Sequence, residues 1–190
     1  MRVQLAGVSL ALVTAISVGT LAGNGGLERS SFATPASTTA IPTWNDEVTA
    51  LAERVSIAFN IEPALASEFS DWILEASRRH HLPSDLIASL VFTESSFRKY
   101  VVSGVGAIGP AQVRPEYWGG FCGTSNLSDP AENIYCGAQI LSYYRDRCGN
   151  DQCALQAYNV GPYTQFYAEA GQRYVLKVND HRARLLSVPL

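Results

Sequence analysis

Leu86, Leu90 and Glu94 stand four residues apart, so on a helix they share one face, and Ile87 and Val91 widen it. This pattern points a carboxylate along an apolar stripe, where its ionised form is costly unless paired or protonated. Desolvation raises the pKa of such a group, which can then hold its proton at neutral pH. A protonated carboxyl beside a leaving oxygen is the acid that glycoside cleavage needs. Most glycosidases add a second carboxylate as base or nucleophile. Here the chain from Ser95 to Pro115 holds no Asp or Glu, and Glu116 is the first. A glycosidic bond cleaved by Glu94 would therefore be cleaved without a partner acid nearby in sequence. That points to assistance by an N-acetyl group of the substrate, with Glu116 as the next carboxylate to consider.

Other reactive side chains give weaker patterns. Arg78, Arg79, His80 and His81 form a basic cluster that could hold an anion, but cations at the end of a helix also complement its dipole. The cysteines Cys122, Cys136, Cys148 and Cys153 contain no CxxC, and His80, His81 and His181 lie far from them in sequence, so no metal site and no cofactor is expected. A net charge of −3 and a pI of about 5.6 leave no basic footprint for nucleic acid. A polymeric sugar remains compatible, because glycans are recognised by hydrogen bonds and stacking.

The elements that must position Glu94 are helical. Val48, Leu51, Ala52, Val55 and Phe59 repeat at helical spacing, with Asn45 or Asp46 as the expected cap. Pro63 suits the first turn of a second helix, whose stripe is Phe69, Trp72, Ile73 and Ala76. Pro83, Ser84 and Asp85 open the helix that carries Glu94. From Val101 to Val113 glycines interrupt short β-favouring pieces, which predicts a small hairpin or irregular lobe. Loop is expected from there to Asp129-Pro130. Helices resume with Ile134, Ala138, Leu141 and Tyr144, then after Cys153 through Tyr158, then from about Tyr174 to Val178 and beyond.

These residues carry a family resemblance. Glu94-Ser95-Ser96-Phe97 resembles the catalytic motif of the soluble lytic transglycosylases, relatives of the goose-type lysozymes. Ser103, Gly106-Ala107-Ile108-Gly109 and Gln112-Val113-Arg114-Pro115 resemble the second motif of that family. Asn133-Ile134 with Gly137 resembles the third, and Ala157-Tyr158-Asn159-Val160-Gly161-Pro162 the fourth. Tyr174-Val175 with Lys177-Val178 resembles the closing helix. Order and spacing agree from about Pro63 to Val178. One departure is Pro110-Ala111 where the family has Leu-Met, which shortens a side chain expected on the cleft wall.

The resemblance implies a mostly α (α+β) lysozyme-like domain with a small β or irregular lobe. It implies that Glu94 protonates the glycosidic oxygen between N-acetylmuramic acid and N-acetylglucosamine, then serves as base on the muramic 6-hydroxyl to give a 1,6-anhydro product. Ser103 and Gln112 would line the saccharide cleft, Tyr158 would hydrogen-bond near Glu94, and Asn159 would help hold the substrate or the loop. For Tyr158 and Asn159 the plain alternative is a helix end with a core aromatic. Tyr163 and Tyr167 could stack on sugars or pack in the core. Two other function classes stay open: a glycan-binding or structural module without activity, and a part of an envelope-spanning secretion, conjugation or phage machine.

The N-terminus sets the compartment. Arg2 precedes an uncharged run from Val3 to Ala22 that resembles a secretory signal ending at Thr20-Leu21-Ala22, and is also long enough to anchor the chain in a membrane. Gly23 to Thr43 is rich in Gly, Ser, Thr, Ala and Pro and reads as a flexible linker, leaving 44–190 as the catalytic domain. The expected location is the periplasm or envelope, or a virion for a phage-encoded chain. In an exported chain four cysteines suggest disulfides, for which three pairings exist. Cys148 and Cys153 bracket a short loop between helices and are expected to pair, leaving Cys122 for Cys136.

Overall fold

The structure is a computed structural model, and it describes residues 41–123, 126–162 and 168–189. The leader-like run, most of the linker, Tyr163 and Tyr167 lie outside the described residues. The elements are α1 (Trp44–Phe59), α2 (Pro63–His80), α3 (Ser84–Ser95), α4 (Pro115–Cys122), α5 (Pro130–Cys148), α6 (Asp151–Val160) and α7 (Ala168–Leu186). The architecture is mostly α, as expected, and no described helix is long and apolar enough to cross a membrane.

α3 is the central helix. Leu86, Ile87, Ala88, Ser89, Leu90, Val91 and Ser95 are all buried, so it is enclosed on nearly every side rather than along one stripe. α2 and α7 pack against it, while α5 covers α2 and α6 bridges α5 and α7. Arg182 of α7 pairs with Asp85 at the start of α3 and with Asp151 of α6, and Arg145 of α5 also pairs with Asp151 at 3.0 Å. These ion pairs fix α7 against the helix that carries Glu94.

The helix ends explain themselves locally. α1 is capped by Thr43 rather than Asn45 or Asp46, because Thr43 and Asp46 stand three apart and satisfy each other's backbone N–H groups. The Thr43 hydroxyl and then its backbone N–H, both donating to Asp46 Oδ2, hold the Asp46 carboxyl below its ordinary pKa. α2 starts with Pro63 at its first position, and Glu62 accepts from the N–H groups of Ala64 and Leu65. α3 stops directly after Glu94-Ser95, where Ser96 (φ 53°) and Phe97 (φ 58°) are both left-handed. Left-handed backbone is costly for a bulky residue. It is tolerated because Phe97 is buried among Phe59, Phe69 and Phe92, at ring separations of 5.9, 5.1 and 6.0 Å.

The lobe at 101–113 takes the irregular form. Its only described pairings are two isolated antiparallel bridges, Val102 with Ile108 and Ile108 with Val113. The loop expected to run on to Pro130 is broken by α4. Pro115 and Glu116 supply a helix start, yet Gly119-Gly120 are poor helix formers and no residue of α4 is buried, so no apolar stripe marks it. The next boundary also moves: Asn150 caps α6 through the Cys153 N–H (2.9 Å), which puts Cys153 inside the helix. α7 begins at Ala168, six residues before the Tyr174 motif.

Two disulfides are present, Cys122–Cys136 and Cys148–Cys153. The first ties α4 to α5, which α4 also meets through a 3.3 Å bond from Gln139 Nε2 to the Phe121 carbonyl and through Trp118 and Phe121 against Tyr143 and Tyr144. Opening a loop of that span costs about 3 kcal/mol. The double substitution Cys122→Ser, Cys136→Ser should lower unfolding free energy in urea by about that amount. It should also expose the Arg114-Pro115 hinge to limited proteolysis while the other helices keep their far-UV signal.

Candidate functional site

The site forms where the last turn of α3 meets the lobe, α6 and α7. A cleft of about 330 Å³ is lined by Glu94, Ser103, Gln112, Tyr158 and Asn159, together with Val105, Ala107, Val113, Arg114, Trp118 and Ile140. All five site residues expected from sequence thus reach one cavity, although they come from three separate segments. No other described residue on this lining is an Asp or Glu.

Glu94 sits at the boundary between core and cleft. Burial against α3 and its neighbours pushes its pKa up to about 7, with a hydrogen bond from Tyr174 and the charge of Lys177 acting in the opposite sense. Tyr174 Oη donates to Glu94 Oε1 at 2.5 Å. A carboxyl poised near neutrality can give up a proton and take one back, which suits acid–base work. Tyr158, expected to hydrogen-bond near Glu94, lines the same cleft, and its Oη donates to the Ala111 carbonyl at 2.7 Å. The sequence reading missed Tyr174 because 80 residues separate it from Glu94. Its place beside the buried Val175 and Val178 carried a signal, since a buried tyrosine hydroxyl needs a partner. Glu116 is exposed on α4 and bonded to Arg114 at 2.5 Å, outside the cleft lining.

The lobe holds its shape through polar clamps rather than a sheet. Asn133, fully buried on α5, accepts from the Ala111 N–H (2.8 Å) and donates to the carbonyls of Ile108 (2.9 Å) and Leu127 (3.1 Å). Gly109, at φ 73°, leaves room for that clamp, since a Cβ there would lie 2.5 Å from Asn133. Gly137 does the same for Ala111, whose methyl seats against it. Ala111 is therefore buried under the lobe and does not form the cleft wall assigned to it from sequence.

Two expected cleft residues also serve the lobe. Gln112 (φ 49°) donates its amide nitrogen to the carbonyls of Gly109 (2.9 Å) and Val101 (3.3 Å). Ser103 Oγ accepts from the Ala107 N–H at 3.0 Å, which leaves its hydroxyl proton for a ligand. Tyr158 and Asn159 lie in the last turn of α6, where Gly161 rather than Asn159 is the capping residue.

Tyr174→Phe should separate proton carrier from tuning group. Its hydroxyl stabilises the ionised Glu94, so its loss raises the Glu94 pKa above about 7. Any activity that needs protonated Glu94 should therefore persist to higher pH in Tyr174→Phe than in the wild type, read from pH–rate profiles of the two.

Residues 71–177 match the Transglycosylase SLT domain family. The "Transglycosylase" of Enterobacteria phage PRD1 is 40% identical over 96 residues, covering 50% of this chain and 36% of its own. The "Membrane-bound lytic murein transglycosylase C" of Actinobacillus succinogenes is 33% identical over 91 residues, covering 43% and 25%. The chain thus spans about a quarter to just over a third of the length of these curated relatives. Among solved structures, an inactive glutamate-to-glutamine mutant of the lytic transglycosylase Slt from Pseudomonas aeruginosa shares the fold with a TM-score of 0.54 at 23% identity, over 74% of this chain and 30% of that one. With more than half of its length inside the matched region, the chain belongs to the Transglycosylase SLT domain family.

Proposed function

We propose that this chain is a lytic transglycosylase that cleaves peptidoglycan between N-acetylmuramic acid and N-acetylglucosamine, with Glu94 as its single acid and base. The observation that carries this reading is Glu94, the one carboxyl on the described cleft lining, with its pKa pushed up to about 7. In the first step Glu94 gives its proton to the glycosidic oxygen, the C1–O4 bond breaks, and the muramic N-acetyl oxygen bonds to C1. In the second, the Glu94 carboxylate takes the proton of the muramic 6-hydroxyl, O6 bonds to C1, and the N-acetyl oxygen leaves. The product is the 1,6-anhydro sugar and Glu94 is again protonated. The absence of a second Asp or Glu on the described lining fits a substrate that supplies its own nucleophile. Ser103 and Gln112 would face the sugar from the lobe, while Tyr158 and Asn159 would face it from α6.

Glu94→Gln tests the assignment. Glutamine keeps the Tyr174 bond but carries no acidic proton, so turnover on purified glycan strands should fall by on the order of 10²–10⁴-fold. Mass spectra of wild-type digests should show anhydro ends, one water lighter than hydrolysed ones. Hydrolysed ends alone would refute the second step, and near-normal turnover of Glu94→Gln would refute the acid. Wild-type activity should decline as pH rises through about 7, where the acid form is lost. Glu94 also binds its proton more tightly folded than unfolded, so its favourable contribution is complete below pH 4.5 and lost as pH rises through about 7. Glu94→Gln should therefore melt above the wild type at pH 8 and approach it at pH 4.5.

The same reading places the protein in the envelope or a virion. Residues 1–22 would direct export as a cleaved signal or a retained anchor, and 23–43 would act as the spacer before the catalytic domain at 44–190. A periplasmic reporter fusion should lose its location when residues 1–22 are removed, and intact mass of the purified protein would separate signal from anchor. Attachment to an envelope-spanning machine would be served by that spacer.

A further inference from the structure

His181 is a half-buried titratable group that the proposed reaction does not use. Its Nδ1 stands 2.9 Å from Thr93 Oγ1. The same Oγ1 lies 2.7 Å from the Ser89 carbonyl, which can only accept. A hydroxyl has one proton, so Thr93 donates to Ser89 and accepts from His181. That count fixes the proton of the neutral imidazole on Nδ1. The ring is wedged edge-on against Phe92 at 4.7 Å and Phe59 at 6.0 Å. Held in one orientation, its N–H has one target.

Thr93 and Glu94 are neighbours on the last turn of α3, and α7 grips both. Tyr174 Oη donates to Glu94 Oε1 at 2.5 Å, and His181, about two turns further along α7, holds Thr93. Two bonds so spaced on one helix, to adjacent residues of the other, cannot both survive a slide or a roll of α7 along α3. The Arg182 ion pairs do not supply this constraint. They hold Asp85, nine residues before Glu94, and Asp151 of α6, through a long side chain. The charged groups around His181 are Lys177, Asp180 and Arg184 of α7, while α3 and α1 turn only Thr93, Phe92 and Phe59 to its ring. Burial first, then Lys177 and Arg184 against Asp180, keeps its pKa below the ordinary histidine value, so the ring is uncharged at neutral pH. Glu94 is faced by Tyr174 and Lys177 of α7 and by Tyr158 of α6.

We propose that His181 is a positioning residue: its Nδ1–H bond to Thr93 sets the register of α7 on α3 and so seats the Tyr174 hydroxyl on Glu94. It touches neither the cleft nor the reacting bond and acts through Tyr174. Loss of the donor loosens the Tyr174 bond, which stabilises ionised Glu94, so the Glu94 pKa rises. The consequence for catalysis rests on the proposed activity, whereas the geometry does not.

The test titrates Glu94 directly, by carbon-13 NMR of the full chain labelled at its glutamate carboxyls, with Glu94→Gln identifying the signal. His181→Phe keeps a ring against Phe92 and removes the donor, and should raise the Glu94 midpoint by about half a pH unit. Thr93→Val removes the acceptor and should do the same, which preserves the test if His181→Phe does not fold. His181→Asn puts an amide N–H where Nδ1 stands and should restore the wild-type midpoint. In a Tyr174→Phe background His181→Phe should add no further rise, because the bond it positions is already gone. Nitrogen-15 shifts of the imidazole should show Nδ1 protonated at neutral pH. The falling limb of the pH–rate profile on purified glycan strands should move with the NMR midpoint. An unmoved or lowered midpoint in folded His181→Phe or Thr93→Val, an equal rise in the Tyr174→Phe background, an Asn variant that shifts like Phe, or a ring protonated on Nε2 would overturn the assignment. A wild-type chain that titrates as expected but cleaves no strand would overturn the proposed activity and leave the positioning role standing.

Discussion

The structure is organised around one carboxyl that is withdrawn from water without being sealed off. Glu94 must sit deep enough for desolvation to lift its pKa to about 7, yet open onto the cleft. That demands a helix apolar on nearly all sides up to its last turn, followed by an abrupt stop. α3 meets the demand through Leu86 to Val91 and ends in two left-handed residues, the second of which returns to the core as Phe97. The strain at Phe97 is held in place by three other phenylalanine-lined contacts of the core, consistent with backbone strain collecting beside functional groups. Tyr174 then sets how far the pKa rises, because its hydroxyl opposes the larger desolvation effect.

A carboxyl so placed has value only if the facing wall is equally fixed, and that wall has almost no secondary structure. Two isolated bridges cannot hold a thirteen-residue lobe in register by themselves. The work falls to Asn133, whose amide satisfies three backbone groups of the lobe and its flank, and to Tyr158, which takes the Ala111 carbonyl. Both clamps depend on glycines that let the chains approach, Gly109 at Asn133 and Gly137 at Ala111. The lobe is thus fastened to α5 and α6, while Glu94 is fastened through α7 to α6 by the Arg182 ion pairs. α6 is the common reference that keeps the two sides of the cleft in fixed relation.

How much of this was legible in the sequence depends on the range of each interaction. The four-residue spacing of Leu86, Leu90 and Glu94 shows the helix and the buried acid directly, because periodicity is a local property. Ser103, Gln112, Tyr158 and Asn159 emerge from the order of motifs, and they do meet in one cleft. Their contacts were less legible. Tyr158 shares the cleft lining with Glu94 and gives its hydrogen bond to the lobe, while the bond to Glu94 comes from Tyr174, 80 residues away. Ala111 reads as a shortened cleft wall only while its partner Gly137 is unknown. α4 was hidden for another reason: held by a disulfide at one end and with no fully buried residue, it carries no apolar repeat.

That thin attachment gives α4 a distinct physical role. A helix with no buried residue contributes little to the core, so its sequence is free to serve the surface it presents. It places Tyr117 and Trp118 on a cavity of about 690 Å³ beside the cleft, and the Arg114 that precedes it lines both. A packed helix would hold these groups rigidly but would have to bury an apolar stripe to do so, leaving fewer positions for the ligand. The Cys122–Cys136 bond removes that conflict by fixing the far end of α4 covalently, while Pro115 fixes its start. Rigidity of the wall then comes from two end points and the half-buried Trp118 between them, with no full apolar stripe, and the rest of the face can be given over to aromatic and cationic groups. The core residues around Glu94 set its pKa, and the lightly packed α4 sets which side chains stand beside the cleft.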